Sequence, residues 1–313
     1  MPSRRRCSSG PSASAKPDTA TSKKQKKTGE VLVKEVILGN MAMTPAHGAN
    51  YPVELVGKDV EKLYVCEFCF KYTDDVAKIV GHSRFCEPAH GGAIAGTLEY
   101  TIDERYSIYK VDGETDNLFC TNMCLFAKLF MADKSIYYEV KGFVFYTLVE
   151  TMAGTPPLRR VLGFFSKEKM SWDDYNLACI LVFPPFQRGG LGRKLIAYSY
   201  RLSKYEAKVG SPEKPISALG LIGYTRYWAS ILAGVVLCPH ASIADSPLSI
   251  ADISRMTMIL PDDITATLKK MDAIEKDADG NFTLDAAKVQ QYVSENRVRV
   301  SQYIERDGEI WYQ

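Results

Sequence analysis

The sequence predicts an α+β fold, and three observations carry that prediction. Residues 107–111, 136–140 and 143–149 are short β-branched and aromatic runs separated by polar turns such as Asp112-Gly113. An apolar run at 177–183 leads through a glycine-rich turn into an amphipathic stretch over 191–206. From about residue 245 the pattern becomes helical, with a late strand near 309–312. The chain has 313 residues, 46% of them hydrophobic and 24% charged. With a mean hydropathy of -0.14, it reads as a soluble globular protein of one large domain or two modest ones.

The N-terminal segment differs from the rest. Residues 1–30 hold eight Lys and Arg against two acids, a net of +6, whereas residues 31–313 hold 31 basic and 35 acidic residues, a net of −4. No aromatic residue precedes Tyr51, so residues 1–50 are expected to form a disordered basic tail, with order beginning in the 50s. Arg4-Arg5-Arg6 and Lys23-Lys24-Gln25-Lys26-Lys27 suit nuclear localisation or non-specific DNA contact, and equally suit a solubilising tail. The N-terminus has no apolar signal-peptide core. The longest near-continuous apolar run, Trp228–Cys238, has 11 residues, short of the roughly 20 that span a bilayer. No membrane partner is expected. The chain has 8 Cys and no secretory signal, which points to a reducing compartment and to metal or catalytic roles rather than disulfides.

Residues 51–95 form the expected zinc-finger region. Cys66-x2-Cys69 and His82-x3-Cys86 are two ligand pairs separated by twelve residues. Zinc takes four soft or borderline donors in a tetrahedron, and each short pair supplies two of them. With every position filled by protein, the C2HC site would be closed and structural. Between the pairs, Lys71 and Lys78 are balanced by Asp74 and Asp75, so no basic recognition helix is evident. Cys120-x3-Cys124 lies among apolar residues with no histidine nearby and reads as core packing.

The run at 177–183 is expected to be one continuous buried strand, stopped by Pro184-Pro185. The turn Gln187-Arg188-Gly189-Gly190-Leu191-Gly192 follows, and Leu191, Leu195, Tyr198, Leu202 and Tyr205 then recur at helical spacing. Backbone amides at such a turn, with the positive end of a helix dipole, suit a pyrophosphate, and Arg188 and Arg193 add charge-assisted bonds. The turn matches neither G-x-x-x-x-G-K-[ST] nor G-x-G-x-x-G. Its Gln/Arg-x-x-Gly-x-Gly form resembles the acyl-CoA loop of GNAT-fold acetyltransferases. Asp277-Ala278-Asp279-Gly280-Asn281 suggests a calcium loop, but Ala286 occupies the place of the bidentate glutamate, so an ordinary turn is expected.

Tyr64-Val65-Cys66-Glu67-Phe68-Cys69, Phe164-Phe165-Ser166-Lys167-Glu168-Lys169, Ala178-Cys179-Ile180-Leu181, the 184–192 segment and Gly210-Ser211-Pro212-Glu213-Lys214-Pro215 together resemble the MYST family of histone acetyltransferases, in order and spacing. The similarity runs from about residue 60 to the end. It implies a GNAT-like acetyl-CoA-binding catalytic core over 96–235, beside the zinc finger and flanked by a helical C-terminal segment over 236–313. By resemblance Glu213 is the catalytic glutamate and Cys179 the active-site cysteine. Ile180, Leu181, Val182, Gln187, Arg188, Gly189, Gly190, Leu191, Gly192, Arg193 and Ser217 match acetyl-CoA contacts, and Lys134 matches an autoacetylated lysine.

Two segments depart from the family pattern. Gly189-Gly190-Leu191-Gly192 replaces the usual Arg-Gly-Tyr-Gly, and Gly223-Tyr224-Thr225-Arg226-Tyr227-Trp228 replaces Ser-Tyr-Arg-Ser-Tyr-Trp. By resemblance a second cofactor-contacting position falls on Arg226, where the family has a small residue. No aromatic residue before Tyr51 could build a methyl-lysine cage, so the chain reads as a catalytic core without a chromodomain.

Acetyl transfer to lysine needs a base, because only the neutral amine attacks a thioester and a free lysine titrates near 10.4. Glu213 is the candidate base. An N–H near Cys179 or Ile180 is the candidate donor to the developing oxyanion. Cys179 admits two roles, lining the acetyl pocket or carrying the acetyl group. The resemblance implies a nuclear enzyme acting on histone tails and nucleosomes within a multi-subunit complex. Two alternatives remain at this level: acetylation of non-histone lysines, and a zinc-finger chromatin-binding subunit with decayed catalysis.

Overall fold

The computed structural model describes residues 31–132, 138–238, 248–276, 282–306 and 309–312. The chain begins with β1 (Leu32–Leu38), β2 (Met41–Met43), a one-turn helix α1 (Val53–Val56), β3 (Asp59–Val65) and β4 (Tyr72–Thr73). These strands form one sheet in the order β2-β1-β3-β4, with β1 parallel to β3. Helix α2 (Val76–Ser83) follows. The expected start of order in the 50s is corrected here. Val31, Val33, Val36 and Leu38 are buried, and these aliphatic side chains make a core strand without aromatics. Residues 31–43 therefore belong with the finger sheet. Residues 1–30, with both basic clusters, lie outside the described residues.

The central sheet is antiparallel and ordered β10-β8-β7-β6-β5. It comprises β5 (Thr97–Thr101), β6 (Tyr106–Asp112), β7 (Phe143–Met152), β8 (Leu158–Glu168) and β10 (Cys179–Val182), with α3 (Asn117–Lys128) between β6 and β7. The period-2 pattern of β7 gives the sheet two faces. Phe145 and Val149 join α3 and the finger residues in one core, whereas Tyr146 and Leu148 meet α4 (Leu191–Tyr205) in another. Cys120 and Cys124 are fully buried in the first core, as their apolar context suggested.

A third core joins α5 (Ala218–Leu237) to α6 (Ile250–Thr257), α7 (Pro261–Lys270) and α8 (Ala286–Asn296). Two hairpins complete this region: β12 (Ile274–Lys276) with β13 (Phe282–Leu284), and β14 (Tyr303–Arg306) with β15 (Glu309–Tyr312). At 20 residues, α5 is long and apolar enough to cross a membrane by length, which the eleven-residue run had not suggested. Its Trp228, Ile231, Leu232 and Val235 are instead buried in this helical core.

Three sequence expectations are revised. The run at 177–183 is two strands: β9 (Tyr175–Leu177) pairs with β11 (Ser211–Pro212), while β10 pairs with β8 and forms the partly exposed edge of the central sheet. Val140 opens a 3-10 turn rather than closing a strand, and residues 133–137 lie outside the described residues. Tyr205 ends α4 exposed, one position beyond the packed face. The Asp277–Asn281 turn also lies outside the described residues.

Candidate functional site

Cys66 and Cys69 sit on the turn between β3 and β4, His82 in the last turn of α2, and Cys86 just beyond it. Asp75 caps α2 by accepting from the amides of Ala77 and Lys78. The turn is held by Phe70, whose φ of 60 lies in the left-handed region. Its buried ring packs on Phe119, Phe126 and Phe183. The four ligand atoms lie within 4.8 Å of one another. The Cys66 and Cys86 sulfurs are 3.7 Å apart, close to the edge of about 3.8 Å that Zn–S bonds near 2.3 Å give a tetrahedron. Three thiols and one imidazole are the donor set zinc prefers. The hydrogen bond from Cys69 pulls the Cys66 thiol down to about 5, and the same contact drives Cys69 up.

The knuckle is coupled to the sheet. Glu67, between the two cysteines, pairs with Arg160 of β8 at 3.2 Å, and Arg160 pairs with buried Glu150 of β7 at 2.8 Å. The Arg160 guanidinium also lies over the Phe186 ring, one residue before the glycine-rich turn.

Where β9 and β10 part, a groove of about 1200 Å³ opens. Its wall is the edge of β10. Ala178 N–H donates to the Ser166 carbonyl (2.7 Å) and Cys179 N–H to Ser166 Oγ (3.2 Å), so two residues share one partner, as in a β-bulge. The Cys179 amide is therefore occupied and is not an oxyanion donor. Phe183 N–H bonds to the Leu162 carbonyl. By the alternation of an antiparallel ladder, Ile180 and Val182 then turn their amides to the open edge. Of the two donors expected from sequence, Ile180 is the one available.

At the end of β10, Gln187 Nε2 donates to the Val182 carbonyl (2.9 Å) and ties the turn to the strand. Arg188 (φ 67) and Gly190 (φ 76) both adopt left-handed backbone, reversing the chain into α4. Strain at the non-glycine Arg188 is the kind stored at functional turns. No side chain caps α4, so the first-turn amides of Leu191 and Gly192 have no intrahelical acceptor and suit an anion. Arg188, Gly190, Leu191, Gly192 and Arg193 line the groove; Gly189 does not.

Glu213 lines the same groove with Cys179 and Ser217. Its N–H donates to the Leu177 carbonyl (2.8 Å). Buried Asp263 of α7 clamps the residues on either side, accepting from Ser211 Oγ (2.7 Å) and Lys214 Nζ (3.0 Å). Ser217 caps α5 through the Gly220 amide. Asp263 gave no signal in the sequence beyond being an acid in a first helical turn. Arg297 and Arg299, which also line the groove, gave none, because only packing of α8 on α5 brings them there. Lys134 lies outside the described residues.

The sequence is similar to those of known proteins. Residues 95–308 match the model of the MOZ/SAS family, and residues 32–86 match that of the MYST family zinc finger domain. The histone acetyltransferase SAS2 of Saccharomyces cerevisiae is 41% identical over 219 residues, covering 69% of this chain and 61% of that protein. The histone acetyltransferase Tip60 homolog of Caenorhabditis elegans is 36% identical over 264 residues, 84% of this chain and 56% of that protein. Human histone acetyltransferase KAT6B is 39% identical over 238 residues, 76% of this chain but 11% of its own length. The matched region thus spans about half to three-fifths of the first two relatives and a small part of the third.

Proposed function

The chain belongs to the MOZ/SAS family, and from that premise we propose that it transfers acetyl groups from acetyl-CoA to lysine side chains of histone tails. The observation that carries the proposal is the single groove along which the β10 edge, the uncapped start of α4, Cys179 and Glu213 are arrayed. Its volume of about 1200 Å³ accommodates a cofactor-sized ligand together with a side chain. The relatives named as histone acetyltransferases support the substrate class.

Acetyl-CoA supplies the activated acyl group. This chain's residues do the rest. The amides of Leu191 and Gly192, with Arg188, hold the pyrophosphate. The outward amide of Ile180 donates to the oxygen that gains charge as the carbonyl is attacked. Glu213 removes the proton from the incoming ammonium, and Asp263 and Leu177 fix the backbone that carries it. Cys179 lines the acetyl pocket, and the lysine attacks directly. Zn2+ held by Cys66, Cys69, His82 and Cys86 is structural. Domain limits of 31–95 for the finger, 96–235 for the catalytic core and 236–313 for the helical segment follow from this reading. So does residence in the nucleus, on chromatin, within a larger complex.

The test is radiolabelled acetyl transfer to core histones, with the sites mapped by mass spectrometry. Wild type and Cys179→Ala are expected to label histone-tail lysines at rates within about threefold of each other, since direct attack needs no thiolate. Labelling confined to non-histone proteins would overturn the substrate. A dead Cys179→Ala with a trapped acetyl-cysteine in wild type would overturn the direct route.

A further inference from the structure

Five arginines line the groove: Arg188, Arg193, Arg226, Arg297 and Arg299. Among the described residues, none has a carboxylate ion-pair partner. They come from three separate places: the turn and first helical turn of α4, the third turn of α5, and the segment after α8. Arg193 lies over the Tyr227 ring and donates to Ser301 Oγ (3.1 Å). Burial lowers its affinity for its proton, and the nearby Arg299 charge lowers it further. Arg193 is partly buried, whereas Arg188, Arg226, Arg297 and Arg299 are exposed. Positive charge collected along one groove without carboxylate partners favours an anion there.

Charge counting decides which anion. A pyrophosphate diester carries about two negative charges, and the α4 amides with Arg188 and Arg193 already answer them. Arg226, Arg297 and Arg299 then remain as three further positive charges, against the two lining carboxylates Glu168 and Glu213. A phosphate monoester adds about 1.5 to 2 negative charges at neutral pH and three acceptor oxygens. The acyl donor of the proposed reaction has one such group, on the 3′ carbon of its ribose. We propose that Arg226, Arg297 and Arg299 form a subsite for the 3′-phosphate of CoA, so that this chain selects the phosphorylated cofactor by charge. The proposal rests on the acetyl-CoA reading of the groove. It gives a role to Arg226, the position at which the sequence departs from the small residue of the family pattern.

The test is calorimetric titration of the full chain with CoA and with 3′-dephospho-CoA, at low salt and again at raised salt. Wild type is expected to bind dephospho-CoA on the order of tenfold more weakly, with the gap narrowing as salt rises. In Arg226→Ser and, separately, in Arg299→Ser the preference is expected to fall to about twofold, with thermal unfolding unchanged. Arg226 is exposed, and only the Arg299 backbone carbonyl accepts from Ser230, so neither change removes a described side-chain partner. Equal binding of the two ligands by wild type overturns the subsite and leaves the groove reading standing. So does a tenfold preference that survives intact in both variants. Binding of neither ligand defeats the subsite and the acetyl-CoA reading together.

Discussion

Glu150 has almost no exposure, 4%, yet it stays ionised. Burial pushes its carboxyl up, but Arg160 and Arg105 outweigh that and hold it below the usual range. A depressed folded-state value means that the contribution to stability is complete above the unfolded value, near 4.3, and is lost as pH falls through the lower folded value. Chemical denaturation of wild type is expected to weaken on that acid limb, and Glu150→Gln is expected to flatten it. The variant is also expected to lose about 2 kcal/mol at neutral pH, because Arg160 then keeps Glu67 as its remaining charged partner. Equal slopes for the two proteins below pH 4.3 would show that the pair is not thermodynamically linked to folding.

At the scale of elements, the groove depends on how closely β10 lies against β8. Gly163 is the residue that permits this approach. A Cβ added there would come within 2.5 Å of the Leu181 carbonyl oxygen and 2.8 Å of the Val182 Cα, both backbone atoms of β10. Gly163→Ala must therefore push the edge strand away, at a cost of about 1–3 kcal/mol. The Ile180 and Val182 amides move with the strand, so cofactor affinity is expected to fall more than the loss of stability alone would give. Calorimetry and a thermal melt on the same variant check both, and retained affinity would mean that β10 is not the binding wall. The strand, turn and helix here were legible in sequence, since an apolar run, Pro184-Pro185 and closely spaced glycines leave few alternatives. The break at Ala178 was not legible. It arises where Ser166 offers both its carbonyl and its hydroxyl to consecutive amides, a tertiary event that no periodicity records.

At the scale of the whole molecule, the finger and the catalytic sheet share one core. Val36, Leu63 and Phe70 from the finger pack in the same cluster as Phe126, Phe145 and Phe164. Metal removal is therefore expected to act on the whole core. A strong chelator should lower the melting temperature in one transition, by about 5 °C for a loss near 3 kcal/mol. It should also abolish cofactor binding in parallel, whereas two separated transitions would mean that the finger folds independently. The two ligand pairs were readable from spacing alone, because zinc constrains local geometry. Residues 31–43 were not legible because they lack aromatics and their buried Val31, Val33, Val36 and Leu38 do not keep a strict period of two. The arginines at 297 and 299 were invisible because they reach the groove only through the helical core, about a hundred residues along the chain from the glycine turn.

The account turns on Glu213 as the base, and the pH dependence of kcat/KM for acetyl transfer tests it most directly. Wild type is expected to transfer acetyl groups at neutral pH, where the free lysine is protonated and a base on the protein must make it neutral. Glu213→Gln is expected to be slow by a factor on the order of a hundred at neutral pH and to climb about tenfold per pH unit toward the lysine's own value near 10.4, as hydroxide and water replace the lost carboxylate. A Glu213→Gln profile parallel to that of wild type at every pH would contradict the assignment and remove Glu213 from the proton transfer.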